Sequence, residues 1–242
     1  MIRPIKLDLP RPVTALHQLE LESRCNLRCV YCPSPNLGRP KQSMERATFL
    51  RALEWVKHFV REGTQRELNL AGIGESTLHP EFFDFIALAR EAAGPHTFVN
   101  FTTNGLLFTE ELAKHCQAHG VSVFVSLHRP EKAGPAVNLA RKYGVLAGVS
   151  NDPALAAINW AGQVDWEVTA TPGVRGCPWI RQGRAMAMAD GRVTTCCYDA
   201  TGAGVIGHVN DPIGSLKTKP YSLCRTCEQE ISVVGFDQRA PQ

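Results

Sequence analysis

Apolar residues fall along this chain in two alternating rhythms. Short runs that read as buried strands occupy His17–Glu22, Glu67–Ala71, Thr97–Thr102, Val121–Leu127, Gly144–Val149 and Val164–Thr169. Between most of them apolar residues recur at helical spacing. Arg46–Arg61 is the clearest case, with Phe49, Leu50, Leu53, Val56 and Val60 on one face. Glu81–Ala92, Thr109–His119 and Glu131–Tyr143 follow, and Pro153–Trp160 carries a shorter version of the same pattern. Thr109 is placed to cap a helix N-terminus, and Gly120 and Gly144 to stop helices. Six strands alternating with helices predict an α/β fold of parallel βα units, which bind ligands at the carboxyl ends of their strands. The chemically suggestive groups follow that rule. The cysteines from Cys25 come after the first strand, Gly72–Glu75 after the second, Asn104 after the third and His128 after the fourth.

The pattern changes near Thr171–Val174. Gly, Pro and Cys become frequent, and Ala185–Ala189, a turn at Asp190-Gly191 and Arg192–Cys196 read as a β-hairpin. Asp211-Pro212 is placed to open a short helix through Leu216, and Cys224 and Cys227 close the unit. The chain thus divides into an extended N-terminal arm (1–15), an α/β unit (16–172), a small cysteine-bearing unit (173–235) and a tail (236–242).

Composition narrows the setting. The 242 residues are 44% apolar and 20% charged, with a formal charge of +3 that neither demands nor excludes a nucleic-acid partner. No run approaches the ~18–20 apolar residues of a membrane span, and the first ten residues hold no apolar signal segment. A reducing cytoplasm and no membrane partner are therefore expected. There, nine clustered cysteines point to metal or chemistry before disulfides.

Cys25, Cys29 and Cys32 form a C-x3-C-x2-C triplet with no fourth Cys or His close by, the next His being His58 in a predicted helix. Thiolates this crowded need a cation. A zinc loop ordinarily presents two C-x2-C pairs or their His equivalents, whereas three thiolates on a cubane iron–sulfur cluster leave one iron open to a ligand.

The triplet, with Tyr31 before its third Cys, resembles the signature of the radical S-adenosylmethionine (SAM) superfamily. Supporting segments come in that family's order. Gly72-Ile73-Gly74-Glu75 with His79-Pro80 resembles its Gly-Gly-Glu-Pro segment, Thr103-Asn104-Gly105 its third-strand end, and Val125-Ser126-Leu127-His128 its fourth-strand serine segment. Ile73 and Ser76 depart from the pattern, but the acidic residue is kept. The resemblance implies a partial (β/α)6 barrel in which Cys25, Cys29 and Cys32 hold a [4Fe–4S] cluster. It further implies that Gly74 and Glu75 bind the SAM ammonium, that Asn104 and Ser126 lie near its ribose or carboxylate, that Tyr31 lies near its adenine, and that His128 borders the cofactor.

Cys177, Cys196, Cys224 and Cys227 remain as a second set, with Cys116 and Cys197 as extras. On spacing alone zinc and a second [4Fe–4S] cluster fit these four equally. Cys, a gap, Gly191-x4-Cys196 and a distal C-x2-C resemble the twitch domain, the short SPASM form, which implies an auxiliary [4Fe–4S] cluster. Cys196 keeps that spacing and Cys197 does not. Adjacent strand residues point to opposite faces, so one of the two should serve.

The resemblance implies an enzyme that splits SAM to a 5′-deoxyadenosyl radical, with a low-potential electron donor such as flavodoxin or ferredoxin. Its substrate would be a small molecule, a nucleoside or a modified base, undergoing dehydrogenation, rearrangement or epimerisation. A peptide-modifying maturase is the alternative within the family. A two-cluster electron carrier and a zinc-stabilised binding module are the alternatives outside it. His128, Arg129, Asn100, Trp179, Tyr198 and Asp199 are expected to border the substrate, and no general base is assigned.

Overall fold

The computed structural model describes residues 10–151, 160–165, 177–225 and 227. Its elements run β1 (Arg11–Pro12), β2 (Ala15–Leu19), α1 (Arg46–Arg61), β3 (Glu67–Asn69), α2 (Phe82–Ala93), β4 (Phe98–Thr103), α3 (Glu110–His119), β5 (Ser122–Leu127), α4 (Pro130–Lys142), β6 (Leu146–Asn151), α5 (Pro178–Gln182), β7 (Arg184–Ala187), β8 (Arg192–Thr194), β9 (Val205–His208) and β10 (Lys217–Thr218). The main sheet has eight strands in the order β6-β5-β4-β3-β2-β7-β8-β9. From β6 to β7 every neighbouring pair is parallel, and β8 and β9 add antiparallel strands. The hairpin after residue 177 therefore extends the barrel sheet at β2. Strand β1 pairs with β10, which ties residues 11–12 of the arm to the far end of the chain.

Each helix is set by its own signals. The apolar face of α1 buries Phe49, Leu53, Trp55 and Val56, and Phe49 stacks on Phe85 of α2 at 3.9 Å between centroids. Thr109 Oγ1 accepts the Leu112 N–H at 3.2 Å and caps α3. Gly120, with φ +61°, ends α3 in the left-handed conformation open to glycine. Trp55 Nε1–H donates to the Val209 carbonyl, which fixes α1 against the C-terminal strands.

Several predicted boundaries shift. The first strand is Ala15–Leu19 rather than His17–Glu22, because from Glu20 onward the chain turns into the site. Asp211–Leu216 is a turn and not a helix. Asp211 Oδ2 accepts the His208 N–H at 2.8 Å, so it closes a turn behind it instead of capping a helix ahead. Gly214, at φ +81°, then bends the chain away. Strand β9 had no counterpart in the apolar pattern, since all four of its residues are only half-buried. Of the sixth predicted strand, Val164–Asp165 carry no strand and residues 166–169 lie outside the described residues, as do 153–159 of the fifth predicted helix and the tail 236–242.

One buried ion pair joins the parts. Glu20, directly after β2, is fully buried. Its carboxylate accepts two bonds from the Arg39 guanidinium at 2.7 Å, the Ile73 N–H at 3.1 Å and the Ala189 N–H at 3.1 Å. Arg39 Nε–H donates in turn to the Ala200 carbonyl at 2.7 Å. Gly72 has no Cβ because the Glu20 side chain occupies that place, 2.2 Å from where it would lie. Removing one partner of such a pair strands a buried charge, at a cost of about 3–5 kcal/mol. Arg39→Met is therefore expected to lower unfolding free energy by about that amount in urea titrations. Lys57→Met, which removes the exposed Lys57–Glu54 pair, is expected to cost under about 1 kcal/mol. Equal costs for the two would refute the assignment.

A candidate active site and a second cysteine cavity

The cysteine loop leaves β2 and is pinned at its start. Arg24 donates its backbone N–H and its guanidinium to the buried Glu22 carboxylate at 2.6–2.9 Å, and this holds the Glu22 carboxyl below its usual range against the opposing effect of burial. The loop after β3 packs backbone to backbone against this segment. Glu75 N–H donates to the Arg24 carbonyl at 2.8 Å, and a Cβ on Gly74 would lie 2.3 Å from the Glu22 carbonyl oxygen. Only glycine permits that approach.

A cavity of about 150 Å³ opens at these strand ends, and Cys25, Cys29, Tyr31, Cys32, Gly74, Glu75, Asn104, Ser126 and His128 all line it. They come from the loops after β2, β3, β4 and β5 and, for Ser126, from the end of β5 itself. Glu75 is buried; its Oε1 accepts from Thr77 N–H and both Thr77 and Thr103 hydroxyls. Among the described residues its Oε2 accepts only the Asn104 N–H, at 2.7 Å. Burial pushes the Glu75 carboxyl up, and these donors oppose the shift. The Asn104 side chain turns to the cysteine loop, 2.7 Å from Asn26 Oδ1 and 3.9 Å from the Cys25 sulfur. Tyr31 and His128 meet across the cavity, hydroxyl to Nδ1, at 2.7 Å. His79 Nδ1 accepts the Glu81 N–H while its Nε2 contacts the Met44 carbonyl at 2.9 Å, so it fastens the loop after β3 to the start of α1.

The second set of cysteines converges as well. Cys177, Cys196, Cys224 and Cys227 line one cavity of about 20 Å³, together with Ala161, Thr195 and Tyr221. Cys197 is not among its lining residues. Cys116 is buried in α3, where burial lifts its thiol to about 12.

Both sets place thiols in buried, sulfur-rich surroundings. Burial, joined by neighbouring cysteines, pushes Cys32 up to about 11 and raises Cys25. In the second set burial likewise lifts Cys224 to about 11 and raises Cys177. Yet backbone N–H groups aim at sulfur, as they do for anions: Leu27 at Cys25 (3.4 Å), Ser34 at Cys32 (3.5 Å), Tyr198 at Cys196 (3.3 Å) and Tyr221 at Cys224 (3.5 Å). Among the described residues no three Cys, His, Asp or Glu groups close on a point that a single ion would fill.

Trp160 and Ala161 join the two cavities. Trp160 lines the first and Ala161 the second. Trp160 Nε1–H donates to the Tyr31 carbonyl at 2.9 Å, and its ring lies 5.3 Å from that of Tyr198. Neither Trp160, Glu20 nor Arg39 was marked as functional by the sequence pattern. An acid between Leu19 and Leu21, in an apolar run, was the available signal for Glu20. For Trp160 there was none, because its contacts are made across the fold.

Three of the residues expected to border a substrate are used elsewhere. Asn100 Nδ2–H donates to Glu67. Trp179 packs edge-on against His17, 5.1 Å between centroids. Asp199 accepts the Thr194 hydroxyl and the N–H groups of Gly202, Ala203 and Gly204, and so organises the turn between β8 and β9. Arg129 sits at the start of α4.

No helix among the described residues is long and apolar enough to cross a membrane. The tungsten-containing aldehyde ferredoxin oxidoreductase cofactor-modifying protein of Pyrococcus furiosus is 33% identical over 133 residues, 54% of this chain but 35% of its own. GTP 3′,8-cyclase of Aquifex aeolicus is 30% identical over 141 residues, 56% of this chain and 42% of its own. The match thus spans well under half the length of either relative. Among solved structures, that of BtrN in complex with AdoMet and 2-DOIA superposes with a TM-score of 0.69 at 19% identity, covering 83% of this chain and 79% of that one; it supports the fold. The family model of the radical SAM superfamily matches residues 20–178, from the buried Glu20 through the residues that line the first cavity, Trp160 included. The chain belongs to the radical SAM superfamily, whose enzymes bind SAM and a [4Fe–4S] cluster.

Proposed function

We propose that this enzyme removes a hydrogen atom from a carbon of a small-molecule or nucleoside-type substrate and, with a second [4Fe–4S] cluster, carries the substrate to an oxidised product. The observation that carries the reading is the convergence of Cys177, Cys196, Cys224 and Cys227 on one cavity, adjacent through Trp160–Ala161 to the cavity of the first cysteine set. When bound, the first cluster and SAM supply a 5′-deoxyadenosyl radical, and the second cluster supplies an acceptor for the electron left on the substrate. The twitch-like unit would be the holder of that second cluster.

The chain's own residues do the rest. Cys25, Cys29 and Cys32 hold the first cluster and leave one iron to SAM. Glu75 Oε2, engaged by a single N–H, offers a carboxylate oxygen to the SAM ammonium, and Gly74 lets the backbone carbonyls come close. Asn104 and Ser126 border the ribose or carboxylate, and Tyr31 with His128 forms the wall on the adenine side. Trp160 closes the cavity and limits the entry of water. Cys196 rather than Cys197 serves the second cluster, since it lines the cavity and accepts the Tyr198 N–H.

The named substrates of similar proteins suggest the class. One similar enzyme is a GTP cyclase, and one similar structure holds AdoMet with 2-DOIA. A low-potential donor of the flavodoxin or ferredoxin kind would deliver the first electron.

Anaerobic reconstitution is expected to give a brown protein with about eight irons per chain, and Cys224→Ala about four. Cys25→Ala is expected to form no 5′-deoxyadenosine. Wild-type turnover with candidate substrates deuterated at single carbons should place deuterium in 5′-deoxyadenosine. A wild-type protein that carries four irons, or zinc, would falsify the two-cluster reading. Glu75→Gln is expected to weaken SAM binding by about tenfold or more, the scale of a lost charged hydrogen bond. Isothermal titration of the reconstituted protein checks this, and unchanged affinity would remove Glu75 from the site.

A further inference from the structure

The second cavity contains two buried hydroxyl groups that make no hydrogen bond of ordinary geometry among the described residues. Thr195 Oγ1 and the Tyr221 hydroxyl are both buried; among the described residues neither has a hydrogen bond of ordinary geometry, and the Tyr221 hydroxyl interacts with the Cys196 sulfur. Both residues line the cavity of Cys177, Cys196, Cys224 and Cys227. Thr195 is 1% exposed, so water does not reach it. Its backbone N–H is already engaged by the Gly204 carbonyl at 3.2 Å. Tyr221 is held by its ring, which covers Gly204 so closely that a Cβ there would lie 2.6 Å from it. The Tyr221 hydroxyl faces Cys196 and Cys224 and lacks a bond of ordinary geometry to either.

Buried hydroxyls are normally satisfied, and two orphans on one small cavity call for an acceptor inside it. Sulfur carrying negative charge is such an acceptor. We propose that Thr195 and Tyr221 donate their hydroxyl protons to sulfur atoms of the second cluster and thereby raise its reduction potential. This inference rests on the two-cluster reading above. The reasoning is electrostatic: reduction adds negative charge to the sulfurs, so a fixed donor stabilises the reduced state more than the oxidised one. The two residues touch the cluster only through these hydrogen bonds, so they tune it without ligating it.

The test is a potentiometric titration of the reconstituted holoenzyme followed by electron paramagnetic resonance, with Tyr221→Phe and Thr195→Val as the variants. Each keeps the shape of the side chain and every backbone donor to cysteine sulfur. At the potential where the wild-type second cluster is half reduced, each variant is expected to raise its oxidised-to-reduced ratio severalfold. A tenfold change corresponds to about 59 mV for a one-electron couple. The first cluster's midpoint should stay in place. A second readout needs no variant: double-resonance spectra of the reduced second cluster should show a hydroxyl proton that exchanges in deuterated buffer. Two clusters with unmoved midpoints in both variants, or no such proton, overturn this inference alone. Four irons in the wild-type protein overturn the two-cluster reading together with it.

Discussion

The arrangement depends on a carboxylate that has nowhere to go but inward. Glu20 stands where β2 ends and the cysteine loop begins, and it is fully buried. A lone charge there would be untenable. Arg39 neutralises it, and the N–H groups of Ile73 and Ala189 use its remaining lone pairs. One side chain therefore fixes the loop that bears Glu75, the hairpin that leads to Cys196, and the exit of the first strand. Arg39 extends the network to Ala200. Such a pair is a poor source of net stability against an apolar substitute. What it contributes is register: the loops of the two cavities cannot shift relative to each other without breaking it.

The two cavities share a logic but differ in capacity. The first, about 150 Å³, is roomy and is lined by groups that come from four different strand ends. The second, about 20 Å³, is tight and is dominated by sulfur. In the first, one Glu75 oxygen carries a single donor and so retains capacity for a ligand. In the second, Cys177, Cys196 and Cys224 are raised by burial and sulfur neighbours, and nothing among the lining residues offers a carboxylate. That contrast separates a polar cavity with free hydrogen-bonding capacity from a small, sulfur-lined one.

Much of this was legible in the sequence, for a physical reason. The helices α1 to α4 declare themselves by period, by Thr109 and by the stopping glycines. The parallel strands declare themselves as short apolar runs between those helices. That residues from four strand ends gather at one cavity was legible because they sit at or just after strands, and the sheet brings consecutive strand ends together. What the pattern could not give was pairing between distant segments. That β7 joins the barrel sheet beside β2 depends on contacts about 170 residues apart, which no local period encodes. Asp211 misled because a turn-closing Asp and a helix-capping Asp look alike until the direction of its hydrogen bond is known. Asn100 and Trp179 misled for a similar reason, since a residue type suited to binding is equally suited to holding a neighbour.

Trp160 and Ala161 show how local cost is set against position. Their φ angles are +56° and +59°, the left-handed region that costs an L-residue about 1–2 kcal/mol each. Glycine would adopt it freely, and Gly162 stands next in line. The strain is held in place from both sides: Trp160 Nε1–H binds the Tyr31 carbonyl, and the Gln163 side-chain amide donates to the Trp160 carbonyl and accepts the Ala200 N–H. Ile73, where the family pattern has glycine, packs in the same small apolar cluster as Trp160, Leu37 and Ala200. The departure from the pattern and the strained turn are thus two halves of one contact. An indole needs an apolar seat, and the side chain at position 73 supplies part of it.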